Sequence, residues 1–370
     1  MEGEYIIVQL FDIGRRIDLN NIIFVFPGVR DKKIIITKDT DTDISVPETV
    51  HLDLVQDLKL NSQNLKLFNV KVKLYEEGVV SFVVRTTFEN IDLEQFHTIK
   101  NLAVSTDDGT FKIDNWIEFQ FNKLIETIKD YIEPYTITLP LPESEKYICY
   151  CIHDDLKEPE EFIKQNNRYL APFLMGENPD LNLHQKQIEK TLEHPFSFLQ
   201  NDLIIFDLDR CLIIDPTKEY DDILLIIELA NYQLLELRTL DKILDIRLDA
   251  AEDDIRYLFF KNRIMWRKLN KTLGQLFRYK YDMNFILENL ENVSKIIGDY
   301  YLAQIYTHLG KLFQVDEWTK SVHTHLQILG DIYTTAKTNL NERILIFLEF
   351  LLGFIFTFEF VILLLGLFIK

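Results

Sequence analysis

Cys149, Cys151 and His153 alternate along an apolar stretch, so a strand there turns all three to one face. Thiolate and imidazole are ligands that zinc favours. Same-face neighbours on a flat strand lie about 6.6 Å apart, too far to close on one tetrahedral ion without a bend. The remaining cysteine, Cys211, stands alone in sequence, and the expectation is buried thiols, with no metal and no cofactor. A second set of candidates lies in apolar surroundings: Glu349, Thr357 and Glu359 are the only polar residues of the 26-residue run Ile344–Ile369. As a helix, that run reaches about 39 Å, more than the hydrocarbon thickness of a bilayer. Glu349 is near enough to one end to reach toward headgroups. Glu359 falls near mid-bilayer, where an ionised acid costs at least about 3 kcal/mol, and the run holds no basic residue to pair with it. It must be protonated, bond to another helix, or face water inside a bundle, and the last two require company. The third set is basic. Arg256, Arg263, Arg267, Lys271 and Arg278 fall within about an 80° arc of a helix, as a solvated or docked face, or as one for anionic lipid headgroups.

The sequence Leu203-Ile204-Ile205-Phe206-Asp207-Leu208-Asp209-Arg210-Cys211-Leu212 is similar to the first motif of haloacid-dehalogenase-type phosphatases. That resemblance implies Asp207 as nucleophile, Asp209 as general acid and Mg²⁺ between them. Such enzymes also need a Lys and an acidic metal-binding pair on later strands, and here only helical sequence follows. A polar turn joining two strands is the simpler expectation. No Gly-rich phosphate loop, HExxH or GxSxG occurs, and only 12 glycines are spread over 370 residues. The protein is therefore expected not to be an enzyme. A net charge of −19 argues against nucleic acid as a partner.

The elements that position these residues follow from proline. All ten prolines lie at or before Pro216, which separates a mixed first part from a long helical remainder. In the first part, Tyr5–Phe11, Ile22–Phe26, Lys33–Thr37, Lys146–His153, Phe198–Phe206 and Cys211–Ile214 read as strands, the last two as central ones. Leu65–Tyr75 and Val79–Thr87 flank Glu76-Glu77-Gly78 as a hairpin. Asp92 and Asn115 are expected to cap helices. Beyond Pro216, a helix begins at Asp221 or Asp222 with an apolar face through Ile223, Ile227, Ala230, Leu234 and Leu237. Helical blocks are then expected near 252–280, 283–310 and 314–342. In the last, Val315, Val322, Leu329 and Ala336 recur every seven residues, with Trp318 and Ile332 as complements, a pattern that suits coiled-coil or bundle packing. The expected fold is an α+β domain, ferredoxin-like in type, over 1–216, a long antiparallel helical arm over 217–342 and one transmembrane helix over 343–370.

The start, MEGEYIIVQLF, has no basic region of a secretory signal. Lys337 and Arg343 precede the span and only Lys370 follows it, which agrees with an N-terminal bulk on the cytoplasmic side of a tail-anchored, single-pass protein. Through Glu228–Arg238, and through Asn339–Phe350 leading into an acid-containing span, the last 170 or so residues resemble the "required for meiotic nuclear division" family, a domain of unknown function. The resemblance implies a membrane-anchored, self-associating scaffold and brings no catalytic residue. The expected function is a homo-oligomeric membrane scaffold or regulator whose N-terminal domain recruits a protein partner. The alternatives are an ion-conducting assembly with Glu359 in the pore and, more weakly, an Asp207/Asp209 phosphatase.

Overall fold

Both alternating phases of Gly3–Asp12 are apolar, and a strand of that kind must be covered on two sides. The computed structural model describes residues 1–22, 30–31, 49–53, 59–60, 64–99, 102–106, 109–135, 141–178, 181–260, 274 and 299–368. In it this strand, β1 (Gly3–Asp12), lies inside an eight-stranded sheet. From edge to edge the order is β12 (Leu203–Phe206), β13 (Arg210–Ile214), β11 (Glu143–Ile152), β1, β7 (Val79–Phe88), β6 (Leu65–Tyr75), β4 (Thr49–Asp53) and β3 (Arg30–Asp31). Neighbours are antiparallel except β11 and β13, which run parallel. Two small sheets pair β2 (Arg16–Ile17) with β10 (Ile132–Glu133), and β8 (Ala103–Thr106) with β5 (Lys59–Leu60) and β9 (Gly109–Lys112).

One face of the large sheet carries Tyr5, Ile7, Val72, Phe82, Val84, Tyr150 and Leu212. They pack with Trp116, Ile117 and Phe121 of α3 (Ile113–Ile128), Ile163 of α4 (Pro159–Gln165), and Leu170 and Phe173 of α5 (Asn167–Leu174). The opposite face carries Ile6, Val8, Leu10, Cys149, Cys151 and Ile213, all buried. Ring contacts from this face run to Tyr232 of α7 (Asp221–Phe260), to His308 of α8 (Tyr300–Leu312) and to Phe313 just after it. Every residue from Leu224 to Leu237 is buried, so α7 is enclosed all round over this stretch rather than amphipathic. The final helix, α9 (Val315–Phe368), is continuous over 54 residues.

The chain divides into two compact units, Met1–Thr239 with Ile286–Trp318, and Leu240–Phe285 with Thr319–Lys370. Within the second unit, Ser321 donates to Asp241 at 2.7 Å, and His325 Nδ1 lies 3.1 Å from Asp241 and 3.4 Å from Asp245. Val322, Leu326, Leu329 and Tyr333 form its buried stripe on α9. Val322 and Leu329 keep their predicted places, while Leu326 and Tyr333 stand in for Trp318 and Ile332 as complements, because spacings of four and three keep one helix face.

The mixed α/β first part and the 65–88 hairpin are as expected. The sheet is wider than a ferredoxin-like core, and Leu203–Phe206 is its edge rather than a central strand. Ile22 ends a short helix, Leu19–Ile22; the rest of Ile22–Phe26 and all of Lys33–Thr37 lie outside the described residues. No boundary falls at 252, because α7 runs on to Phe260. Most of the blocks expected at 252–280 and 283–310 lies outside the described residues.

Candidate functional site: a polar seam between sheet and helix

The buried stretch of α7 carries polar side chains among its leucines: Glu228, Asn231, Gln233, Glu236 and Thr239 are all buried. The sheet face beneath supplies Glu4 and Asp12 from β1, Lys73 and Tyr75 from β6, and Arg85 from β7. Lys73 pairs with Glu228, whose other oxygen accepts from the Tyr75 hydroxyl at 3.0 Å. Tyr75 stacks on Tyr232 with centroids 5.0 Å apart. Nearer the start of α7, Arg85 donates to Glu4 at 2.9 and 2.7 Å and to Asp221 at 2.7 Å. Tyr220 donates to Glu4 at 3.0 Å, and its hydroxyl lies 2.8 Å from His153 Nε2. Burial lowers the pKa of His153, with the Lys218 charge acting in the same direction. Tyr306 of α8 donates to Gln233 at 2.6 Å. Removing one partner from such a dry pair leaves an uncompensated charge, so this part of the seam fixes where α7 lies on the sheet.

The far end is different, because buried acids from β1 and α7 gather there. Asp12 closes β1, and its carboxylate accepts from the Gly14 N–H at 3.2 Å and from the Tyr135 hydroxyl at 2.9 Å. Burial pushes its pKa up to about 7, against the opposing pull of Tyr135, Thr239 and Gly14. Glu236 is fully buried, and neither carboxylate oxygen has a hydrogen-bond partner. Burial, then the charges of Asp12 and Glu77, hold its pKa well above the usual range. Glu77 is placed by a tight turn: Gly78 has φ of +96°, and a Cβ on it would overlap the Gly14 carbonyl oxygen. Ile13 donates to the Gly78 carbonyl at 2.9 Å, tying that turn to the end of β1.

A cavity of about 630 Å³ opens in the same unit, lined by Asp202, Asp215, Asp222, Asp299, Phe198 and Tyr301 among others. Its acids serve the backbone: Asp202 accepts from the Phe198 and Leu199 N–H groups, Asp215 from Thr217 and Glu219, and Asp299 caps α8.

Cys149 and Cys211 are register partners across the parallel pair β11–β13, and Cys151 lies beside them on the same face. All three are free and buried, and burial raises the pKa of Cys151 and Cys211, which suits inert thiols. Among the described residues no three His, Cys, Asp or Glu side chains converge on a metal position. Asp207 and Asp209 lie in the turn of the antiparallel hairpin β12–β13, where Asp207 N–H donates to the Arg210 carbonyl at 2.8 Å. Arg210 holds the Asp209 carboxylate at 2.7 and 2.8 Å. Glu349, Thr357 and Glu359 are exposed along α9. The Thr357 hydroxyl donates back to the Gly353 and Phe354 carbonyls of its own helix. Of the basic residues, Arg256 is on α7 but its side chain is not described, and Arg263, Arg267, Lys271 and Arg278 lie outside the described residues.

Sequence reasoning missed the seam. The available signal was the spacing of Glu228, Asn231, Tyr232, Glu236 and Thr239, a polar stripe at helical intervals. Only enclosure of the helix on every side makes that stripe internal rather than solvated.

A family model described as "Uncharacterized protein MJ0711, N-terminal domain" matches residues 2–221. Uncharacterized protein MJ0711 of Methanocaldococcus jannaschii is 27% identical over 278 residues, which cover 74% of each chain. No solved structure gives a significant match. These findings overturn the likeness to the "required for meiotic nuclear division" family: the matched family is a different one, and its model covers the N-terminal part rather than the C-terminal half.

Proposed function

This chain belongs to the family of the MJ0711 N-terminal domain, and on that premise we propose that it is a non-enzymatic membrane scaffold, its α/β domain tethered by α9 and offered to a protein partner. The observation that carries this reading is the apolar stretch of α9. Its most apolar 18-residue window has a mean hydropathy of 2.3 and none of it is buried. Phe347, Phe350, Phe354, Phe358 and Phe360 are all more than half exposed. At about 25 cal/mol per Å² of apolar surface, water is a poor surrounding for such a helix and lipid a good one. Lys337 and Arg343 at its head favour a cytoplasmic position for the α/β domain.

The ion pairs of the seam support a scaffold role, since they hold α7 on the sheet and leave a rigid platform. Glu359 supports self-association, because an acid in lipid without an internal base gains from a neighbouring helix. The test is membrane fractionation of the full chain against a version lacking residues 344–370. The full chain stays in the membrane pellet after alkaline carbonate, and the shortened one moves to the supernatant. A full chain that runs as a dissolved single subunit without detergent would overturn the proposal.

A further inference from the structure

We propose that Asp12 and Glu236 together retain a proton at neutral pH, which makes the seat of α7 over the end of β1 a pH-sensitive latch that slackens when the proton leaves. The two acids belong to different elements, one closing the strand inside the sheet and the other on the enclosed stretch of the helix above it. Glu236 is 0% exposed, and both its oxygens lack a hydrogen-bond partner. A carboxylate in that position, ionised and alone, carries a desolvation cost that proteins avoid by neutralising the group.

Among the described residues, the groups that act on the pair are Glu77 from the 75–78 turn, Glu143 from β11, Tyr135 from the segment after β10, and Tyr232 and Thr239 from α7. None of these is a base. The cations of the seam are engaged elsewhere, Lys73 with Glu228, Arg85 with Glu4 and Asp221, and Arg238 at the rim with Glu145. A metal ion is the other usual neutraliser, but no three acid, histidine or cysteine side chains converge on one among the described residues. That leaves the proton. The upward shifts of both acids agree with this, burial being the first cause in each.

The sign follows from linkage. Below about pH 4 both acids are protonated in the folded and the unfolded chain, and the latch costs nothing. Between about pH 4 and pH 7 the unfolded chain releases its protons while the folded one keeps them, so stability falls as pH rises. Above about 7 Asp12 ionises in place, against the charges of Glu143 and Glu236, which oppose it.

Thermal unfolding of the detergent-solubilised full chain from pH 5 to pH 8 tests this, with Glu236→Gln and Glu236→Leu beside the native protein. Amide exchange along residues 232–239, corrected for intrinsic rates, supplies the local readout. At pH 7.5 the better-packed variant melts about 3 °C or more above the native chain, and the advantage shrinks toward zero at pH 5. Protection of 232–239 falls with rising pH in the native chain and stays level in the variant. A difference between native and variants that is the same at every pH overturns the latch. So does a rise in native Tm at pH 7.5 on adding Mg²⁺, Ca²⁺ or K⁺ that Glu236→Gln abolishes, since a cation would then be the neutraliser.

Discussion

Lys73 and Glu228 show how a charge can be placed inside a protein only together with its opposite. Each is at least nine-tenths buried, and the Tyr75 hydroxyl satisfies the second oxygen of Glu228. Glu228→Leu alone should cost about 3–5 kcal/mol, because Lys73 is then left charged and dry. The double variant Lys73→Met/Glu228→Leu should cost less than either single change. Urea unfolding of all four proteins checks this; additive losses would mean that the two side chains act independently. At this scale the sequence was legible where residues act alone. The alternation of Cys149 and Cys151 foretold two buried thiols on one strand face. The adjacency of Cys211 was not visible, because it depends on β11 and β13 pairing in parallel some 60 residues apart. Glu228 and Glu236 stood plainly in the sequence, but their burial depends on the sheet and helix around them, which no local pattern shows.

Elements were legible where they are local. The hairpin of β6 and β7 follows from alternation and from Gly78, and the structure keeps it with a register shift between Leu67 and Asn69. The turn is tight enough that Gly78→Ala should destabilise the protein by about 2 kcal/mol or more, since φ of +96° and the Gly14 carbonyl both exclude a side chain. Equilibrium unfolding measures the loss, and a neutral result would mean that the turn adjusts freely. Helix α7 was legible in its start and its composition but not in its surroundings. Its apolar positions from Ile223 to Leu237 define one face, yet the structure encloses the intervening positions as well. Periodicity reports a one-sided helix well; it does not report a helix covered on every side, whose polar residues look like an exposed face. Strand order was hidden for a similar reason, since pairing joins segments that no local pattern connects.

For the whole molecule, proline marks turns and edges and is excluded from long helices: β13 ends at Ile214 and α7 begins at Asp221, on either side of Pro216, while the compact units divide at Thr239. The terminal run was legible from composition alone, and α9 carries it as an unbroken helix as far as Phe368. If that helix lies in lipid with Glu359 against a sister chain, Glu359→Leu should lower the detergent-solubilised mass toward that of one subunit without changing the melting of the α/β domain. Light scattering on the solubilised protein reads the change, and an unaltered mass would assign the oligomer, if any, to another surface. A current across a planar bilayer that Glu359→Gln alters would favour the conducting alternative instead.

The position of β1 inside the sheet has a kinetic consequence. Strand β1, residues 3–12, lies between β7 and β11, whose residues, 79–88 and 143–152, come much later in the chain. Neither of its edges can be closed by a near neighbour in sequence, so loop closure must precede any reward from pairing. Refolding is therefore expected to be slow for the protein's size. Until residue 88 has emerged from the ribosome, β1 is an unpaired, two-faced apolar strand, and until residue 152 follows one of its edges stays open, which gives a holding chaperone its natural grip.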